Sequence, residues 1–435
     1  MRYFLWSETV LAMMPVFLLA ALLPSHRRTK LVWGSTPLIS NRYWSEAMKE
    51  AGWDSETLMD GFYAGINRRE DFDRYVDDFA PVWLPHVVRM GLGTCLALIH
   101  VLRRARVIHT SFDGFALGRC AFWRLEGPLL RLAGVRIVVM PYGGDFWLYS
   151  RVRDISTRHG LLASYPQFAR DEVRLRARLS WWTAQADIVV AGLLTDGLAR
   201  WDVSLPQMFS VDTRAWSPPD VYSSADGRNG IVRMLHTPNH RGFKGTEFFV
   251  AAVDRLRAEG LKVELVLLEN VPNDEIRTIM RSMDIMAEQL LVNGYALSAI
   301  EAMACGLPVL SNLSSEDHGR VFRRFAFLDE CPILSTTPET VVDNLRLLIT
   351  RPDLRETLGR AGREYAERYH SYDSARFLFG SIYSKLLDGA EVDLMNLYHP
   401  LKRGPDHRRV RHPLVENRWG GDPLAPLQRE GGGRS

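Results

Sequence analysis

The stretch NGYALSAIEAMACGLPVLSN, residues 293–312, holds the residue whose type and position most invite chemistry. Glu301 stands among Ala, Ile and Met in what reads as a helix from about Leu297 to Cys305, stopped by Gly306 and Pro308. A strand-to-helix loop, Val292-Asn293-Gly294-Tyr295, leads into it. The start of a helix presents amide N–H groups and a partial positive charge, which suits a diphosphate. A carboxylate one turn further in is costly among apolar neighbours unless it pairs or accepts hydrogen bonds. Either the hydroxyl pair of a ribose beside the phosphates satisfies Glu301, or an internal arginine or a nearby loop does. On the residues alone both arrangements stay open.

The elements that must position this stretch are legible as alternating strands and helices. Short apolar runs at Leu31–Gly34, Val107–Thr110, Val135–Met140 and Asp187–Gly192 are separated by amphipathic stretches such as Leu84–Arg104 and Asp171–Gln185. After a Pro/Gly/Ser-rich passage, PPDVYSSADGRNG, the alternation restarts with Ile231–His236 and Lys262–Leu268. Helical patterns follow at Glu247–Glu259, Asp274–Met283, Glu339–Ile349 and Pro352–Tyr369. The pattern predicts an α/β chain with two doubly wound, Rossmann-like domains facing a central cleft. The expected boundaries are an apolar segment 1–28, a first domain 29–217, a linker 218–230 and a second domain 231–370. A C-terminal helix over 371–394, returning to the first domain, and a basic irregular tail over 395–435 complete the division.

Composition bounds the function. The 435 residues are 46% apolar and 24% charged, ordinary for a soluble globular protein, and give room for two or three domains. A net charge of +3 implies no broad basic surface, so nucleic acid is not an expected partner. Cys95, Cys120, Cys305 and Cys331 are scattered without a CxxC pair, which points to a reduced, cytoplasmic compartment. The triplet Asp71-Phe72-Asp73 lies in a charge-rich segment with no strand before it; it reads as chance, and no metal is expected.

From Thr9 to Ser25 the chain carries no charge, and His26-Arg27-Arg28 follow. The run is short for a membrane span, is interrupted by Pro15, and has its charges in the wrong order for a secretory signal. It lies on a membrane surface, packs on the protein or spans. The expectation is the first, with the chain peripheral at the cytoplasmic face of a membrane.

Glu301-Ala302-Met303-Ala304-Cys305-Gly306-Leu307-Pro308-Val309 resembles the donor-site signature of the retaining GT-B glycosyltransferases, glycosyltransferase family four in particular. The resemblance implies transfer of a sugar from a nucleoside-diphosphate sugar, with no other cofactor, to a glycan or lipid-linked acceptor in polysaccharide or glycoconjugate biosynthesis. It makes Glu301 the ribose ligand and places Asn293, Gly294, Tyr295, Leu297 and Ser298 along the donor. The family's first glutamate falls on Asn293, which brings no charge and puts donor preference and activity in question. Upstream, LHTPNHRGFKGTEFF supplies Lys244-Gly245 for the diphosphate, with Arg241 as a second cation from a different register. Asp284 resembles a structural aspartate ahead of the signature. In the first half, Asp145 resembles the family's Gly-x-Asp turn. His109 stands near its His-x-His position, where this chain has Ser111. Asp145 is read as a residue of the reacting centre or a turn aspartate satisfying amides, His109 as a residue of that centre or a satisfied core histidine. Two other classes share the architecture: sugar-nucleotide 2-epimerases, and non-catalytic modules that keep the nucleotide site.

Overall fold

The computed structural model describes residues 2–23, 28–192, 197–204, 209–315 and 331–398. His26, Arg27 and the tail from 399 onward lie outside the described residues. The chain divides into two compact units. The first comprises Met1–Leu148, Asp171–Ser204 and Ala375–Met395; the second contains Tyr149–Arg170 and Leu205–Ser374. Residues 149–170 thus join the second unit rather than the first.

Among the described residues, the first unit holds seven parallel strands: β1 (Lys30–Trp33), β2 (Ser55–Met59), β3 (Arg74–Tyr75), β4 (Ala105–Thr110), β5 (Arg136–Val139), β6 (Ile188–Ala191) and β7 (Val203–Ser204). Their order is β3-β2-β1-β4-β5-β6-β7. Val32, Ile108, Ile137 and Val189 are fully buried, as strands covered by helices on both faces require. The helix Arg2–Leu22 packs on the helices His86–Arg104 and Glu126–Leu132 and runs through Pro15 without ending.

The described residues of the second unit form five parallel strands: β8 (Val232–His236), β9 (Val263–Leu267), β10 (Ile285–Gln289), β11 (Val309–Ser311) and β12 (Leu334–Ser335). Their order is β12-β11-β10-β8-β9. The chain steps one way from β8 to β9 and then returns to place β10 on the other side of β8. Ligands of open α/β sheets sit outside the carboxyl ends of the strands at such a reversal. Passage 218–230 packs on this unit: Arg355 donates from Nη2 to the carbonyls of Ser223 (3.1 Å) and Ala225 (2.5 Å).

Candidate active site

At the carboxyl ends of β8 and β10 a buried polar network replaces the apolar core. Lys244, 5% exposed, ends the four-residue helix Arg241–Lys244 that follows β8, and Gly245 caps it in the left-handed region (φ 74°). Its Nζ donates to the Glu288 carboxylate and to Gln289 Oε1 (2.8 Å). Glu288 also accepts from Ser311 Oγ (2.9 Å) on β11 and from Ser298 Oγ (3.3 Å) at the start of the helix Leu297–Ala304. Gln289 Nε2 donates to the carbonyls of Val292 (3.0 Å) and Gly294 (3.1 Å), fixing the loop that enters this helix. A buried ion pair survives only with further hydrogen bonds on both partners, and two hydroxyls and an amide supply them here. The fold therefore joins Lys244 to Ser298 and Gly294 through Glu288 and Gln289.

Gly294 adopts a φ of 107°, which a side chain resists, and its N–H donates to Asn312 O (2.7 Å). The Asn293 N–H meets Thr157 Oγ1 (3.0 Å), and its Nδ2 lies 3.4 Å from Asn312 Oδ1. Tyr295 turns into the core, where its hydroxyl meets Tyr365 (3.0 Å) and His370 Nε2 (3.1 Å). That corrects its placement along the donor. Leu297 and Ser298 remain half-buried at the helix start.

Glu301, 3% exposed, lies on the same helix and accepts from Asn273 Nδ2 (2.7 Å), at the start of the helix Asn273–Met280. Burial, and then the Glu301 carboxylate, push the neighbouring Cys305 thiol up to about 12, while Arg363, Arg281 and Arg277 pull the other way. Arg363 donates to Ala304 O (2.7 Å), satisfying the end of the helix. Arg241 is half-exposed and ion-paired with Glu247 (2.8 Å) and Glu269 (3.1 Å). Asp284 accepts the Arg233 N–H (2.7 Å) and ties β10 to β8.

In the first unit, His109 takes the second of its two readings, a core histidine with its hydrogen bonds satisfied, and not that of a residue of the reacting centre. It is 2% exposed and stacks on Trp33 at 3.6 Å. Its Nδ1–H donates to Val32 O (3.1 Å) and its Nε2 accepts from Tyr383 (2.9 Å). Burial holds its pKa down to about 3. Asp145 accepts three backbone amides, from Phe112 (3.0 Å), Tyr142 (2.9 Å) and Gly143 (3.0 Å), and so joins the loops after β4 and β5. This is the turn role. Burial and then the Asp113 carboxylate raise its pKa to about 7 against those amides. Asp113 is the half-exposed carboxylate nearby, held by Arg178 and by the Tyr142 hydroxyl (2.9 Å). Asp71 and Asp73 are engaged by Arg42 (2.5 Å) and Lys49 (2.6 Å).

Sequence reasoning missed Glu288, Gln289, Ser311 and Asn273. The signal for the first two was two adjacent polar residues closing an otherwise apolar strand.

Residues 247–365 match the family model of the glycosyl transferases group 1. This is a glycosyltransferase domain. The match contains Glu301, Glu288 and Ser311 and begins three residues after Lys244. No curated protein matches the sequence. Among solved structures, the chain is similar to the sucrose-phosphate synthase from Thermosynechococcus elongatus (TM-score 0.52, 15% identity, 83% of this chain and 100% of that one). It is also similar to a glycosyltransferase from Rickettsia africae ESF-5 (TM-score 0.51, 12% identity, 84% and 100%). A third is WaaG, a glycosyltransferase involved in lipopolysaccharide biosynthesis (TM-score 0.50, 11% identity, 83% and 100%). At these identities the likeness is one of fold, the GT-B fold of two Rossmann-like domains, and the segment matched by the family model lies within the second unit.

Proposed function

We propose that the chain transfers a sugar from a nucleoside-diphosphate sugar to a glycan or lipid-linked acceptor, with retention, in polysaccharide or glycoconjugate biosynthesis. The donor binds the second unit at the carboxyl ends of β8 and β10, and the acceptor binds the first unit. The observation that carries the reading is Glu301, a buried carboxylate on a small-residue helix inside the matched glycosyltransferase segment. It accepts a hydrogen bond from Asn273, and the hydroxyl pair of a ribose is a donor of the kind a buried carboxylate takes. An ammonium has three protons, and Glu288 and Gln289 take two of those on Lys244. The third is the one a diphosphate oxygen would accept as charge builds on the leaving group. Retention by departure and attack on one face needs no protein nucleophile.

One observation favours a second reading, a nucleotide-sugar-binding module without turnover: Asn293 offers an amide where the family resemblance implies a carboxylate. A thermal-shift screen with UDP, GDP, ADP and their sugars tests the binding step, because a ligand of the folded state raises the melting temperature. Transfer assays with the stabilising donor then separate the two readings. No stabilisation by any nucleotide would exclude both.

A further inference from the structure

Among the described residues, nothing covers the outer face of the helix Arg2–Leu22. Its inner face is committed to the first unit: Val10 and Phe17 are fully buried, and Ala20 and Ala21 nearly so. Trp6 reaches the helix His86–Arg104, where it lies 3.4 Å from the position a Cβ would take at Gly91. On the other side, Leu11 (57% exposed), Leu18, Leu19 (58%), Leu22 (63%) and Leu23 face outward with Ala12, Pro15 and Val16. No charged or hydrogen-bonding side chain interrupts this stripe, which runs roughly 20 Å along the helix. An exposed apolar patch of this kind on a soluble unit marks a surface that meets something else.

The end of the stripe is cationic. Arg103 donates from Nη1 to Leu23 O (2.7 Å), and Arg28 donates to Leu102 O (3.2 Å) and toward Ala21 O (3.4 Å). Both guanidinium groups are gathered where the apolar face stops. The neighbouring helix begins with further exposed apolar residues, Val87 and Val88, just after Val82 and Trp83.

We propose that this outer face is a docking surface for an anionic lipid bilayer, entering it sideways while the inner face stays on the first unit. An all-aliphatic stripe offers a protein partner no hydrogen bond and no aromatic anchor, whereas the acyl region asks for neither. Arg28 and Arg103 fit the phosphates at the headgroup level. The proposal is of a helix lying in the interface rather than crossing it, because its inner face, Val10 and Phe17 among it, is packed on the first unit. The inference is independent of the donor reading, because vesicle binding and nucleotide binding are measured separately.

Co-sedimentation of the full chain with vesicles is the test, using phosphatidylcholine alone and mixed with phosphatidylglycerol. The intact chain sediments with the anionic vesicles. Leu11→Gln, Leu18→Gln and Leu19→Gln combined weaken this on the order of a hundredfold, at an unchanged melting temperature because these side chains are exposed. Arg103→Gln weakens it about fivefold on anionic vesicles only. The proposal is overturned if the intact chain stays in the supernatant with both vesicles, or if the triple variant sediments equally well. It is also overturned if light scattering shows a dimer that the triple variant dissociates while neither protein binds vesicles, which would make the face an interface between copies.

Discussion

Removing the Lys244 ammonium leaves the Glu288 carboxylate buried without its counter-ion, and that costs more than the pair itself contributes. Lys244→Ala is expected to lower stability by about 3–5 kcal/mol in urea unfolding. The double variant Lys244→Met/Glu288→Leu recovers most of that loss, because neither charge then needs solvation. A single variant as stable as the parent would contradict the buried pair. In turnover, a milder change, Lys244→Gln, lowers kcat more than it raises KM for the donor, since a cation near the diphosphate matters most as the bond breaks. The places of Lys244 after β8 and of Glu301 on its helix were legible in the sequence because each sits in a local pattern. Glu288 was not: an acidic residue ending a strand reads as solvent-facing, and its partner lies 44 residues earlier. Tyr295 was placed on the donor, and His109 left open between the reacting centre and the core, for the converse reason. A polar side chain beside a motif looks functional until the fold shows its hydrogen bonds to be satisfied in the core.

The turn at Gly306, which ends the Glu301 helix with a φ of 71°, is crossed closely by the helix Pro352–Tyr369. A Cβ at Gly359 would stand 1.9 Å from Gly306 O, a backbone atom with no room to yield. Gly359→Ala is expected to cost about 1–3 kcal/mol and to lower the urea midpoint. Gly380→Ala is the control on the helix Tyr372–Leu387: a Cβ there meets nothing within 4 Å, so helix propensity should raise stability by about 0.5–1 kcal/mol. An unchanged midpoint for Gly359→Ala would mean that the helix stands further from the turn. Elements with clean apolar periodicity, such as β4, β6 and the helix Pro352–Tyr369, were legible to within a residue or two. β2 was not, because its buried Glu56 is held by Lys30 (3.2 Å) and His100 (2.5 Å) and disguises the strand as a polar turn. The transfer of 149–170 to the second unit was also hidden. It rests on contacts such as Ser156 to Leu291 O (2.7 Å), which no local pattern encodes.

Acid should act unequally on the two units. In the second, burial holds the pKa values of His236 and His370 down to about 4 from 6.5. Above pH 6.5 each is neutral folded or unfolded and adds no pH dependence. Between 6.5 and 4 only the unfolded chain takes up the proton, so each histidine lowers stability by up to about 3 kcal/mol as pH falls through that window. In the first unit His109 acts in the same sense, but Asp145, raised to about 7, acts in the opposite one. Its folded form binds the proton first, which favours folding as pH drops from 7 toward 3.8. Protection factors for hydrogen exchange, corrected for the slower intrinsic rate in acid, are therefore expected to fall first in β8 and β10 at pH 5, and an equal fall in both units would contradict this. The central claim, that the second unit holds a nucleoside diphosphate through Glu301, is met most directly by isothermal titration of the stabilising nucleotide into the parent and into Glu301→Ala. Loss of charge-assisted hydrogen bonds to the ribose should cost about 1.5–3 kcal/mol, roughly a 10- to 150-fold rise in Kd, in a variant that still unfolds cooperatively. An unchanged Kd in that folded variant would contradict the account.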